Sequence, residues 1–175
     1  EHSLPAFERG MAEQLAEVEA IANDPEPPTF DNTIVALERS GRLLDRVSAV
    51  FFNQASADAT PGVQAIQKEI TPRLARHADA IRLNRALFRR ISALYAERDL
   101  PADQAWLLER YHTDFVRAGA ELSDADQERL RALNAELSAL ATEFQQNLLN
   151  DTDAAAVVVD DAAELDGLSP EAVRA

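Results

Sequence analysis

The run Ser123–Asn150, SDADQERLRALNAELSALATEFQQNLLN, decides the fold class. Apolar side chains recur at Leu130, Leu133, Leu137, Leu140, Phe144 and Leu148, in steps of 3, 4, 3, 4 and 4. Those steps stack them along one face of an α-helix. No Pro or Gly interrupts the run. Ser123 is placed to cap it, and Asp124, Asp126 and Glu128 fall where the positive end of the helix dipole favours acids. Arg129, Arg131, Glu136, Glu143, Gln145 and Gln146 make the polar face. At roughly 1.5–3 kcal/mol per buried Leu or Phe, the stripe offers about 9–18 kcal/mol gross, before ordering entropy. It therefore calls for other helices to cover it. On that reading Leu137→Ala costs about 2–5 kcal/mol. Its polar neighbour Glu136→Ala costs less than about 0.5 kcal/mol.

Upstream the same period repeats. Residues 5–22 read as a helix with Phe7, Met11, Leu15, Val18 and Ala22 on one face. Asn23–Pro28 (NDPEPP) is a loop, since its prolines remove donors and fix φ. Asp31 is expected to cap a second helix running to Ala57, with Gly41 in its stripe admitting a close neighbour. Thr60-Pro61 starts a third, along Val63, Ile66, Ile70, Leu74 and Ile81, with a kink or break expected near Pro72. Asn84–Arg98 forms another around Leu87, Ile91 and Leu94. Pro101–Gly119 follows with Leu108, Tyr111 and Phe115 inward and Gly119 as its stop. After the long helix, Ala155–Val159 (AAVVV) turns β-like, and a short helix is expected after Pro170. The fold class is thus all-α: a bundle of about six helices, with one short extended segment near the C-terminus and residues 1–175 as a single helical domain. There is no repeat.

Composition narrows the function. The 175 residues are 46% hydrophobic and 27% charged, ordinary for a folded chain. Asp and Glu number 31 against 17 Lys and Arg, a net charge of −14. That disfavours nucleic acid and anionic membrane surfaces as partners, which need phosphate neutralisation. No run approaches the roughly 20 apolar residues of a membrane span. Cysteine is absent, so there is no disulfide frame and no thiolate metal site.

Several separated segments resemble one peptidase family. The opening EHSLPAFERGM (1–11), TFDNTIVALERSG (29–41) and Val50-Phe51-Phe52 are similar to thimet-oligopeptidase family members, in particular the bacterial peptidyl-dipeptidase (dipeptidyl carboxypeptidase) branch. So are FVRAGAEL (115–122), Leu133-Asn134 and ELDGLSPE (164–171). The resemblance implies the N-terminal region of a helical zinc metallopeptidase that cuts short peptides within a deep channel and releases C-terminal dipeptides. This region would form part of one channel wall, with its own downstream catalytic domain and short peptides as partners. The expected compartment is the cytoplasm, with the periplasm as the alternative. The rival reading is a stand-alone helical protein-interaction module without an enzymatic parent.

The chemistry of that family needs H-E-x-x-H, two imidazoles one helical turn apart with a Glu general base between them. Here the histidines are His2, His77 and His112, far apart and outside any such motif. The resemblance implies zinc in the full-length parent enzyme and none in this chain. No catalytic, cofactor-binding or metal residue is assigned in this chain, and it is expected neither to hydrolyse peptides nor to hold zinc. His77 reads as exposed or locally paired, His112 as half-buried. Asp151-Thr152-Asp153 opens like a calcium loop but lacks the Gly and closing Glu. Asp160 and Asp161 pair without a pocket, and Ser123 with Asp126 is a helix start, not a nucleophile. Arg73, Arg76, Arg82, Arg85, Arg89, Arg90 and Arg98 crowd one region, with Arg82, Arg85 and Arg89 on one helix face. They read as a solvated face, or else as a surface for an anion or partner. A lone valine strand at 155–159 lacks a partner in the chain. In the longer enzyme its ladder would come from downstream sequence; in this fragment it would either lie on the bundle without a ladder or pair with another copy, giving a non-physiological dimer.

Overall fold

A computed structural model describes residues 2–97 and 99–169. Arg98, and the helix expected after Pro170, lie outside the described residues. The chain divides into two compact units, Glu1–Glu143 and Phe144–Ala175. No strand occurs among the described residues, and the all-α expectation holds.

In the first unit, α1 (Ser3–Ala22) is the common support, packing on α3 (Arg42–Ala57), α4 (Pro61–Arg82) and α5 (Arg85–Glu97). Its N-terminal half supplies Phe7 to one core with Leu44, Phe51, Ala55, Val63 and Ile70. Phe7 meets Phe51 edge to face at 5.4 Å. Its C-terminal half supplies Val18, Ile21 and Ala22 to a second core. The main partners there are Leu87, Ile91 and Leu94 of α5, and Leu108 and Phe115 of α6 (Ala102–Arg117). The helix stripes expected for α5 and α6 are therefore buried as read.

The helix expected from Asp31 to Ala57 is broken. Thr29, not Asp31, caps its start. The Asn32 N–H donates to Thr29 Oγ1 (3.1 Å) and the Thr29 N–H to Asn32 Oδ1 (2.7 Å), a reciprocal capping box. A π-helical turn, Phe30–Val35, runs into α2 (Ala36–Arg39), and the chain then stops at Gly41. Gly41 takes a left-handed φ of 75°, open to glycine at little cost. Its N–H donates to Glu17 Oε2 at 2.8 Å. The close neighbour expected at Gly41 is present, since a Cβ there would run into the Gln14 side chain of α1, and a second close approach, backbone to backbone, falls at Gly10 of α1. A Cβ there would stand 2.9 Å from Leu44 Cα of α3.

Thr60 caps α4 through the Val63 N–H, as read. Pro72 does not interrupt this helix, which is continuous from Pro61 to Arg82. Gly119 (φ 97°) ends α6: the Gly119 and Ala120 N–H groups donate to the Val116 and Phe115 carbonyls, both at 3.0 Å. This pair of bonds is the Schellman stop.

The long helix α7 (Asp124–Ala154) forms where the sequence places it. Ser123 caps it, accepting from the Asp126 N–H (3.2 Å). Its orientation differs from expectation. Within the first unit Leu133, Leu137 and Leu140 are 54%, 66% and 56% exposed, whereas Gln127 and Thr142 are buried. Asn134 Nδ2 donates to Asp79 Oδ1 of α4 (2.9 Å), and Gln127 Nε2 to the Gly119 carbonyl (3.2 Å). The helix rests on the body through its polar side because buried Asp79 and the carbonyls after α6 take donors there. In the first unit Leu133, Leu137 and Leu140 are left uncovered among the described residues.

In the second unit the last turns of α7 carry exposed Phe144 and Leu148. Residues 156–161 then run without helix or ladder, with Val157 and Val158 at 88% and 75% exposure. The β-like reading of 155–159 is not realised: the valine segment forms no strand within the described chain, since no second strand is there to pair with it. A 3₁₀ turn, Ala162–Leu165, follows, capped where Asp161 Oδ1 accepts from the Ala163 N–H (2.9 Å).

Candidate functional site

The three histidines stand on three elements: His2 before α1, His77 on α4 and His112 on α6. No three His, Asp or Glu side chains converge among the described residues. With H-E-x-x-H also missing from the sequence, the residues of this chain do not fit a zinc centre. Asp151, Thr152 and Asp153 belong to α7, so there is no calcium loop there.

His77 is buried, not exposed, at 8% accessibility. Its Nε2 pairs with Gln14 Oε1 of α1 at 2.6 Å, while Nδ1 is without a partner. Burial pulls its pKa below the ordinary imidazole value, so the ring is held neutral. The signal was in the spacing: Ile70, Leu74, His77 and Ile81 form one stripe. His112 is half-buried as read, stacked on Tyr95 with ring centroids 4.1 Å apart.

The arginines do not form one surface. Arg82 ends α4, whereas Arg85 and Arg89 lie on α5, so the three share no helix face. Arg73 bridges Glu8 of α1 and Glu69 of its own helix (2.7 and 2.6 Å). Arg85 Nε donates to Asp124 Oδ1 (3.0 Å) and a second nitrogen to the Leu122 carbonyl (2.9 Å), fastening the start of α7. Arg90 is buried at 8% accessibility, in the stripe of Leu87 and Leu94. It donates to the Asp24 and Glu26 carbonyls, each at 2.9 Å, and to Asn32 Oδ1 at 3.0 Å. Thus one guanidinium ties the proline-rich loop to the π-helical turn, a structural role that sequence reading missed.

Two adjoining cavities of about 390 and 280 Å³ share Arg82, Tyr111 and Phe115. Trp106 borders the first and His77 the second. The Tyr111 hydroxyl donates to Glu38 Oε1 (2.6 Å). Burial first, then the Glu38 hydrogen bond and charge, push the phenol far above its usual range, so it stays protonated. The groove offers the guanidiniums of Arg82 and Arg110, the carboxylates of Glu38 and Asp114, the bonded hydroxyls of Tyr111 and Ser40, and aromatic walls. It carries no nucleophile–base pair or metal cluster.

The larger surface feature is the uncovered face of α7. Leu133, Leu137 and Leu140 lie outward, flanked on one edge by exposed Glu136 and Glu143.

The helical body thus presents a groove and an open apolar face. Known sequences show what the chain is similar to. The chain is 40% identical over 175 residues to the dipeptidyl carboxypeptidase of Escherichia coli strain K12, covering 98% of this chain and 26% of that protein. It is 41% identical over 173 residues to the dipeptidyl carboxypeptidase of Salmonella typhimurium, covering 97% of this chain and 25% of that one. The oligopeptidase A of Salmonella typhimurium is 23% identical over 180 residues, 100% of this chain and 26% of that protein. No family model matches the chain. The chain is thus similar to dipeptidyl carboxypeptidases and, more distantly, to oligopeptidase A, and it spans about a quarter of their length.

Proposed function

We propose that this chain is the N-terminal helical region of a zinc-dependent peptidyl-dipeptidase that releases C-terminal dipeptides from short peptides. It forms part of one wall of the peptide channel and lends shape and docking surface to a catalytic domain supplied by downstream sequence. The observation that carries this reading is the 40% identity, sustained over 98% of the chain, to a dipeptidyl carboxypeptidase of which it spans only 26%. The missing zinc ligands and the uncovered leucines of α7 support it. A stand-alone interaction module would also use an open apolar face, but it would not predict an alignment to a quarter of a peptidase.

The test is the reading frame beyond Ala175 and its product. The longer product is expected to carry H-E-x-x-H and to release dipeptides from short peptides, with the activity lost to a chelator and restored by zinc. The 175-residue chain alone is expected to release none and to retain no zinc after dialysis. A frame that stops at Ala175, or zinc-dependent cleavage by the 175-residue chain itself, overturns the proposal.

A further inference from the structure

The exposed face of α7 has the geometry of a helix-pairing seam. Leu130, Leu133, Leu137 and Leu140 repeat in steps of 3, 4 and 3, the spacing that lets a facing helix insert side chains between them. Leu130 is partly covered beside Gly119, whereas the other three are more than half exposed. An apolar row of this kind on one helix exceeds the scattered exposure of an ordinary surface.

The two edges of the seam differ. On one side Asn134 turns into the body and is bonded to Asp79, so that edge is closed. The other side follows Arg129, Glu136 and Glu143, all exposed, with no ion pair or hydrogen bond recorded for them among the described residues. Two of these three are acids, on a chain of net charge −14. A partner meeting this edge gains by bringing Lys or Arg opposite Glu136 and Glu143. A second copy would bring another −14 and, paired antiparallel about Leu137, would set Glu136 against its own image. Anionic lipid or nucleic acid is disfavoured for the same reason.

We infer that the Leu133–Leu137–Leu140 face is a docking seam for an amphipathic helix whose apolar stripe is flanked by basic residues, and that the longer polypeptide supplies this helix. The second half rests on the proposed function. The relatives extend over nearly four times the matched length, and the seam is the large apolar surface left uncovered in the first unit.

Two measurements decide it. The first uses the 175-residue chain and synthetic helices of about three heptads with Leu at both seam positions. One peptide carries Lys at the flanking positions, one carries Glu, and a third is the Lys peptide scrambled. The Lys peptide is expected to bind, the Glu and scrambled peptides at least about tenfold more weakly. Leu137→Glu should weaken the Lys peptide by about tenfold or more, and Glu136→Lys with Glu143→Lys should switch preference to the Glu peptide. Equal binding of the scrambled peptide, indifference to Leu137→Glu, or no switch overturns the seam. So does a dimer of the chain that Leu137→Glu dissolves, because the occupant would then be a second copy.

The second measurement compares Leu137→Glu in the longer product and in the 175-residue chain by thermal unfolding. The longer product is expected to lose several degrees and the 175-residue chain less than about one degree. Equal shifts mean that the longer polypeptide does not cover the seam. If the frame stops at Ala175, the proposed function fails by itself, while the peptide titration still decides whether the seam exists.

Discussion

Two buried charge-bearing side chains in this bundle are fixed by neighbours distant in sequence, and each gives a direct test. His77 is held neutral between α4 and Gln14 of α1. A histidine whose folded pKa is lowered leaves the unfolded chain with more bound protons below about pH 6.5. Its contribution is therefore intact above that value and is lost as pH falls toward its lowered pKa. Urea midpoints at about pH 7.5 and 5.5 should show the native protein losing more stability than His77→Gln over that interval. A difference between the two proteins that does not change with pH would mean the ring is not held neutral. Arg90 makes three hydrogen bonds to the loop and the π-helical turn. Arg90→Met keeps the stem but strands the Asp24 and Glu26 carbonyls, and should cost at least about 2 kcal/mol. Arg89→Met, one residue away and exposed, should cost less than about 0.5 kcal/mol. Similar urea midpoints for the two variants would remove Arg90 from its assigned place.

At the scale of the element, α7 shows what helical periodicity conveys. The 3–4 spacing of its leucines establishes a helix and says which face seeks cover. It does not say what covers it, because that depends on what lies opposite. Here the bundle presents buried Asp79 and the carbonyls after α6, and these recruit Asn134 and Gln127. The expectation for Leu137 therefore reverses in this chain: Leu137→Ala should cost less than about 0.5 kcal/mol. Leu108→Ala, at 1% exposure in the second core, should cost about 2–5 kcal/mol. Chemical denaturation that ranks Leu137 beside Leu108 would put the leucine face inside. The stripes of α5 and α6 were legible because both faces of those contacts lie within the chain. His77 and Arg90 sit in apolar stripes, so their burial was readable from spacing had polar residues been allowed there. The break at Gly41 was not, since a glycine in a stripe suits both a close crossing and a left-handed stop. The groove at Arg82 and Tyr111 joins residues from α1, α2, α4 and α6, a convergence that no local pattern announces. The missing H-E-x-x-H needed no structure to be seen.

At the scale of the molecule, the first unit carries two cores that share few residues but one helix. Phe7 of α1 belongs to the core with Phe51 and Ile70, and Val18 and Ile21 of the same helix belong to the core with Leu108 and Phe115. Either core could open alone only by leaving half of α1 without cover. Its close crossing with α3 at Gly10 and its packing on α4 and α5 would then be lost together. Half of this 20-residue helix, about ten residues, is marginal in water without tertiary support. The cores should therefore melt as one unit, in a two-state manner. Ile70→Ala in one core and Leu108→Ala in the other should each lower the same transition, by amounts that add because the sites have no shared partner. Fluorescence of the single Trp106, on α6, should report the same midpoint as far-UV circular dichroism in both variants. If Ile70→Ala instead splits the melt, with the Trp106 signal holding at the native midpoint while ellipticity falls early, then α1 does not couple the cores. The first unit would then be two independently folding halves.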